Sequence, residues 1–168
     1  EQQLLIPFYP AYEIANYEGL PPECSQNGKV IIFSGGDIYK VLDSRKTYWK
    51  LVKQILDNHQ EVIFLFATKN NSIGNDFIDS FIKINHFEGR FIKIPFRHDI
   101  NEVFSHIDIY MGTCPVSGSL MTQLAAINSV PILQYYYPGT PDDETEQILC
   151  YNESFQISYQ DEDCFMAE

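Results

Sequence analysis

Two short loops carry residue types suited to holding an anion. Thr113-Cys114-Pro115-Val116-Ser117-Gly118-Ser119 lies between the apolar run Ile107 to Met111 and a helix-forming stretch that begins at Leu120. Ser34-Gly35-Gly36-Asp37 follows a second apolar run, Lys29-Val30-Ile31-Ile32-Phe33. A small-residue loop that leaves a buried strand and opens a helix offers unpaired amides and the positive end of a helix dipole, and both attract phosphate. Glycines let a ligand approach the main chain, and the hydroxyls of Ser117 and Ser119 add donors. One such loop is an ordinary strand-to-helix turn; two on one sheet point to a nucleotide.

The elements that must position these loops follow from apolar patterning. Val30 to Phe33, Glu61 to Ala67, Arg90 to Phe96, Ile107 to Met111 and Pro131 to Tyr135 read as five strands, with a sixth over Ser154 to Tyr159. Between them fall helical segments. One is capped by Asp43 or Ser44 and runs to about Asn58, with Trp49, Val52, Ile55 and Leu56 on one face; another runs from Asp76 to about Ile84. Asp99 caps a short helix from Ile100 to His106, and Leu120 to Ile127 makes a fourth. Strands apolar on both faces that alternate with helices predict a parallel sheet covered on both sides, an α/β, Rossmann-like, doubly wound sheet of about six strands. Ligands in such sheets bind beyond the carboxyl ends of the strands, where the strand order reverses. Residues 1 to 28, with Pro7, Pro10, Pro21 and Pro22, read as a lead-in or interdomain linker, leaving 29 to 168 as the domain.

Bulk properties narrow the field. At 168 residues the chain is long enough for one well-buried core. Its 23 acidic against 11 basic residues give a formal charge of −12, which argues against a nucleic-acid surface, since nucleic-acid phosphates are held mainly by Lys and Arg. A small phosphate ligand is still compatible, because local amides and a nearby cation outweigh a diffuse, salt-screened field. No apolar run approaches the roughly 18 residues of a membrane span. Cys24, Cys114, Cys150 and Cys164 show no metal-like spacing and read as free thiols of a reducing, cytoplasmic compartment. The chain starts at Glu1 without a methionine and reads as a piece of a longer protein.

Ser117-Gly118-Ser119-Leu120 with Pro131 thirteen positions beyond the glycine, the upstream Ser34-Gly35-Gly36, and the middle segment Ile94-Pro95-Phe96-Arg97-His98 followed by Val103-Phe104-Ser105-His106 stand in a telling order. Together they resemble the carboxyl-terminal, donor-binding domain of GT-B glycosyltransferases, over roughly Gly28 to Asn152. The resemblance implies a diphosphate of a nucleotide sugar, a UDP-sugar favoured, held by Gly35, Gly36 and Asp37 on one loop and Ser117, Gly118 and Ser119 on the other. Arg97 and Arg45 are the implied phosphate cations, with Lys46 beside the second. Phe96 and His98 fall in the base-recognition loop, where a ring can stack on the base; Phe96 can equally be core. His106 is read as structural.

Two further parts of the pattern concern ribose and sugar. The family's ribose-binding Glu falls at Leu124 here, a departure that leaves Gln123 as the ribose candidate. After the fifth strand, Glu146-Gln147 resembles the family's donor-sugar pair, with Asp143 and Glu144 as alternatives; acids at a helix start are an equal explanation. The resemblance implies transfer of the sugar to an acceptor hydroxyl of a glycan or glycolipid, as in polysaccharide or glycolipid synthesis. It implies no cofactor and no metal, an amino-terminal Rossmann-like domain in cis that supplies the catalytic residues, and peripheral association with the inner membrane face. Such a piece alone binds donor weakly and catalyses nothing. Two other readings stay open: a nucleotide-sugar epimerase of the same architecture, drawing on Asp37, Asp99, His98 or Glu144, and a non-enzymatic, receiver-like α/β partner-binding module.

Overall fold

A computed structural model describes residues 15–69, 74–139 and 158–167. Six parallel strands form the centre: β1 (Val30–Gly35), β2 (Val62–Thr68), β3 (Phe91–Pro95), β4 (Ile109–Met111), β5 (Ile132–Tyr135) and β6 (Ser158–Tyr159). Their order is β3-β2-β1-β4-β5-β6, so the order reverses between β1 and β4, as in Rossmann folds. The helices are α1 (Thr47–Asn58), α2 (Asn75–Asn85), α3 (Ile100–Phe104), α4 (Ser119–Ile127) and α5 (Glu162–Met166). The expected doubly wound α/β sheet is the one found.

The strands form because their side chains are wanted on both faces. Every residue of β2 is buried, and Phe33, Phe64 and Phe66 are wholly so. One face packs against α1, α2 and α5 through Trp49, Val52, Leu56, Ile78 and Phe165. There the Trp49 ring meets Phe66, Phe77, Phe81 and Phe91 at centroid distances of 5.0–6.0 Å, a range in which aromatic pairs add to simple burial. The other face packs Val103 and Phe104 of α3 and Leu124 and Ala125 of α4 against Phe33, Leu65 and Tyr110. Apolar positions three and four apart on α1 all turn inward: Tyr48, Leu51, Val52, Ile55 and Leu56.

Several details differ from the sequence expectation. Helix α1 starts at Thr47, because the Asp43 carboxylate accepts the Lys46 amide at 2.8 Å and closes a turn; Lys46, at φ 54°, then redirects the chain. Asp99 precedes α3 but makes no side-chain cap, its carboxylate being engaged elsewhere. A single 3₁₀ turn, Ile38–Lys40, follows the first glycine loop, and α5 adds a helix that the sequence reading did not place. Of the sixth strand, Ser158 and Tyr159 are seen and the earlier part lies outside the described residues. Cys24, Cys114 and Cys164 are free thiols, while Cys150 lies outside the described residues.

Candidate functional site

Where β1 and β4 part, the carboxyl ends of the strands surround a cleft of about 290 Å³. Its walls come from four places. Gly35 ends β1 and Gly36, Asp37 and Lys40 follow it; Ala67 lies near the end of β2 and Lys69 just beyond it; Phe96, Arg97 and Ile100 follow β3; Gly118, Ser119, Leu120 and Met121 open α4. Both glycine loops therefore face one another across a single cavity, at the position the topology reserves for ligands.

Gly35 is required by the neighbouring strand. A Cβ there would lie 2.8 Å from the Ala67 Cβ and 2.9 Å from its carbonyl oxygen, so β1 and β2 approach too closely for any side chain. Gly35→Ala is accordingly expected to cost about 1–3 kcal/mol by overpacking, read as a lower urea midpoint with unchanged slope. Gly36 takes φ +152° and donates its amide to the Ala67 carbonyl at 3.0 Å. That amide belongs to the sheet and is not available to an anion. Gly118 has φ −104°, a conformation open to any residue, so its value lies in leaving the helix start uncovered.

The amides on offer are those of α4. Its first intrahelical bond runs from Thr122 N–H to the Gly118 carbonyl, and no side chain caps the helix, which leaves the first-turn amides of Ser119, Leu120 and Met121 pointing forward. The loop before it is held from behind. The Thr113 hydroxyl donates to the Val116 carbonyl at 2.6 Å, and buried Gln134 of β5 donates to the Thr113 carbonyl at 3.0 Å and to the Tyr135 carbonyl at 3.1 Å.

The cleft's positive charge comes partly from residues that the sequence reading did not select. Lys40 and Lys69 both line it. Lys69 Nζ lies 3.2 Å from Asp37 Oδ1, with the two side chains 64% and 41% exposed. An ion pair so exposed is worth at most about 1 kcal/mol, so a phosphate can draw Lys69 away at small cost. Arg97 also faces the cavity, but it is 8% exposed and gripped by Asp99. Its Nε donates to Asp99 Oδ1 at 2.7 Å, Nη2 to Oδ2, and Nη1 to the Gly19 carbonyl. The Glu18 amide completes the set by donating to Asp99 Oδ2 at 2.8 Å. The Arg97 guanidinium, against the opposing effect of burial and with a lesser contribution from the Glu18 amide, holds the Asp99 carboxyl down to about 2.

Of the sequence candidates, Gly35, Gly36, Asp37, Phe96, Arg97, Gly118 and Ser119 thus meet in one cleft. Phe96 is 65% exposed on its rim, which removes the alternative that it is core. Arg45, Ser117, His98 and Gln123 are not among the lining residues. Arg45 instead sits 4.3 Å over the Tyr137 ring, whose hydroxyl donates to Asp43. His98 is exposed and Gln123 half-buried. Position 124, where the motif would place Glu, faces the core as Leu124, and α4 turns Leu120 and Met121 to the cleft. Asp143, Glu144, Glu146 and Gln147 lie outside the described residues. His106 stacks on Tyr17 with centroids 4.3 Å apart, as befits a structural histidine.

Among the described residues, no group of three or more His, Cys, Asp or Glu side chains is placed to hold a metal ion. Nor do the candidates for proton transfer in an epimerase pair up there. Asp99 is committed to Arg97, Asp37 has only Lys69 beside it, and His98 stands apart from the cleft lining. Among the same residues, no helix is long and apolar enough to cross a membrane.

The fold and the cleft at its reversal point define a Rossmann-like α/β domain with a candidate anion site. Comparison with solved structures sharpens that class. The Thermobaculum terrenum O-GlcNAc transferase superposes on 96% of this chain with a TM-score of 0.69 and 13% identity. The pneumococcal O-GlcNAc transferase GtfA, solved with UDP and GlcNAc, covers 85% of the chain with a TM-score of 0.55 and 13% identity. S. aureus TarM, solved with fondaparinux, α-GlcNAc-glycerol and UDP, covers 72% with a TM-score of 0.51 and 11% identity. All three are GT-B glycosyltransferases, and the chain has the fold of a carboxyl-terminal GT-B donor-binding domain. It spans 29%, 29% and 24% of those chains respectively. No family model and no curated protein matches the sequence.

Proposed function

We propose that this chain is the donor-binding part of a glycosyltransferase, holding the diphosphate of a nucleotide sugar in the cleft between β1 and β4. The observation that carries the reading is the convergence of two glycine loops, an uncapped helix start and two lysines on one cavity in an otherwise acidic protein. The first-turn amides of α4 and the ammonium groups of Lys40 and Lys69 supply fixed positive charge for the diphosphate, both in the ground state and as it leaves with the bond electrons of the sugar. Phe96, on the rim, offers a ring face to the base. A UDP donor is favoured, in keeping with the UDP present in two of the similar structures.

The remaining parts of the reading extend beyond this chain. The acceptor is a hydroxyl of a glycan or glycolipid, and the groups that activate it belong to a second Rossmann-like domain in cis. The protein works in the cytoplasm, at the inner membrane face where a lipid-linked acceptor is used. No cofactor or metal enters the scheme.

Titration of the chain with UDP, GDP and ADP tests the site. Binding is expected to shift the amide resonances of Asp37, Ser119 and Leu120, with UDP the strongest. Lys40→Ala is expected to weaken UDP about ten-fold, the effect of one lost charge-assisted bond. Millimolar nucleotide without a shift at any of these amides would end the donor-binding reading.

A further inference from the structure

Arg97 belongs to two structures at once. It is one of the residues that line the cleft, and its guanidinium contacts Tyr17 and Gly19 in the segment that leads towards β1. That segment, residues 17 to 20, is a strap attached at each of its four residues. The Tyr17 ring stacks on His106 at 4.3 Å and lies 5.8 Å beneath the Arg97 guanidinium carbon. Glu18 N–H donates to Asp99, the Gly19 carbonyl accepts from Arg97, and Leu20 packs against the core beside α3 and α4.

We infer that the strap and the cleft are coupled through Arg97, with Asp99 as the positioning residue that fixes the guanidinium between them. Resting on the reading of the cleft as an anion site, the coupling follows from counting donors. A guanidinium has five N–H groups, and Asp99 and Gly19 take three of them, so two remain for a phosphate oxygen. The planar fork that serves Asp99 also dictates where those two point. An anion that engages them holds the fork in the orientation that Gly19 and Glu18 require. Whatever the anion adds to the strap, the strap must add to anion affinity, because binding free energies are reciprocal.

The Glu18 amide is a single-site reporter of the strap. In the intact chain, saturating UDP is expected to slow its hydrogen exchange about five-fold, the lower end of ordinary site-to-site coupling, and inorganic pyrophosphate to do the same more weakly. Tyr17→Ala removes the ring beneath the guanidinium and is expected to weaken UDP by a similar factor. Arg97→Lys keeps a charge without the fork, so UDP is expected to bind while the protection at Glu18 disappears. A structural role alone would give none of this ligand dependence. Unchanged exchange at Glu18 while the Ser119 and Leu120 amides shift would overturn the coupling and leave the cleft reading intact. Failure of UDP and pyrophosphate to shift those α4 amides would overturn both.

Discussion

Asp99→Ala is expected to destabilise the protein by about 3–5 kcal/mol, because it leaves the buried Arg97 guanidinium without its partner. Both side chains are almost fully withdrawn from water, at 7% and 0% exposure. Three donors converge on that carboxylate, and the alanine would orphan all of them, the Glu18 amide included. Asp99→Asn separates charge from shape, since the amide oxygen can still accept while the ion pair is lost.

The pH dependence has a definite sign. Asp99 titrates at about 2 in the folded protein and near the ordinary carboxylate value when unfolded. A depressed pKa contributes stability that is fully present above about pH 4 and is lost as pH falls towards 2, amounting to roughly 2 kcal/mol. Urea midpoints of the native chain and of Asp99→Asn should therefore differ most at neutral pH and converge near pH 2. A gap that stays constant over that range would assign the deficit to packing rather than to charge.

Gly112→Ala is expected to cost about 3 kcal/mol, through a clash with Gln134 on the neighbouring strand β5. Its Cβ would fall 1.6 Å from Gln134 Oε1 and 2.5 Å from Gln134 Cδ, so the amide has to leave its place. Gln134 is 2% exposed and satisfies the carbonyls of Thr113 and Tyr135 with one nitrogen. Displacing it strands two buried acceptors, each worth about 1–3 kcal/mol when unpaired. Thr113 begins the loop that delivers Gly118 and Ser119, so nucleotide affinity should fall along with the melting temperature. In the double variant Gly112→Ala, Gln134→Ala the clash is gone and the same carbonyls are orphaned. Its loss should be well below the sum of the single losses, as expected for residues in contact. Additive losses would refute the account.

Much of this architecture was legible in the sequence. Apolar runs flanked by Gly, Asn and Asp located the strands to within a residue or two, because a strand buried on both faces has no freedom to be polar. The glycine loops were legible for the same reason, since Gly35 and Gly36 interrupt a β-branched run at its end. Lys40 and Lys69 were not. They share a cavity only because β1 and β2 are parallel neighbours with Gly35 opposite Ala67, and strand pairing is not written in local pattern. Arg97 showed its charge but not its engagement, because a partner two residues away and a carbonyl at distant Gly19 leave no periodic signal. The Gln123 reading shows the limit of a transferred motif. Leu124 enters the core with Gln123 half-buried beside it, and a short pattern fixes spacing more firmly than it fixes which face a residue takes.

The reversal of strand order has a mechanical meaning as well. Strands β1 and β4 are joined in register only at Ile32 with Ile109 and Phe33 with Tyr110, whereas β1 and β2 are laced along their whole length. Between the two lies the longest sequence separation bridged within the sheet, so closing this junction carries the largest loop-closure entropy of any strand pair. The cleft sits directly above it, with Gly36 on one bank and Gly118 on the other. An occupant that grips both banks therefore acts as a rivet across the junction between the two halves of the sheet, adding its binding free energy to the stability of that seam.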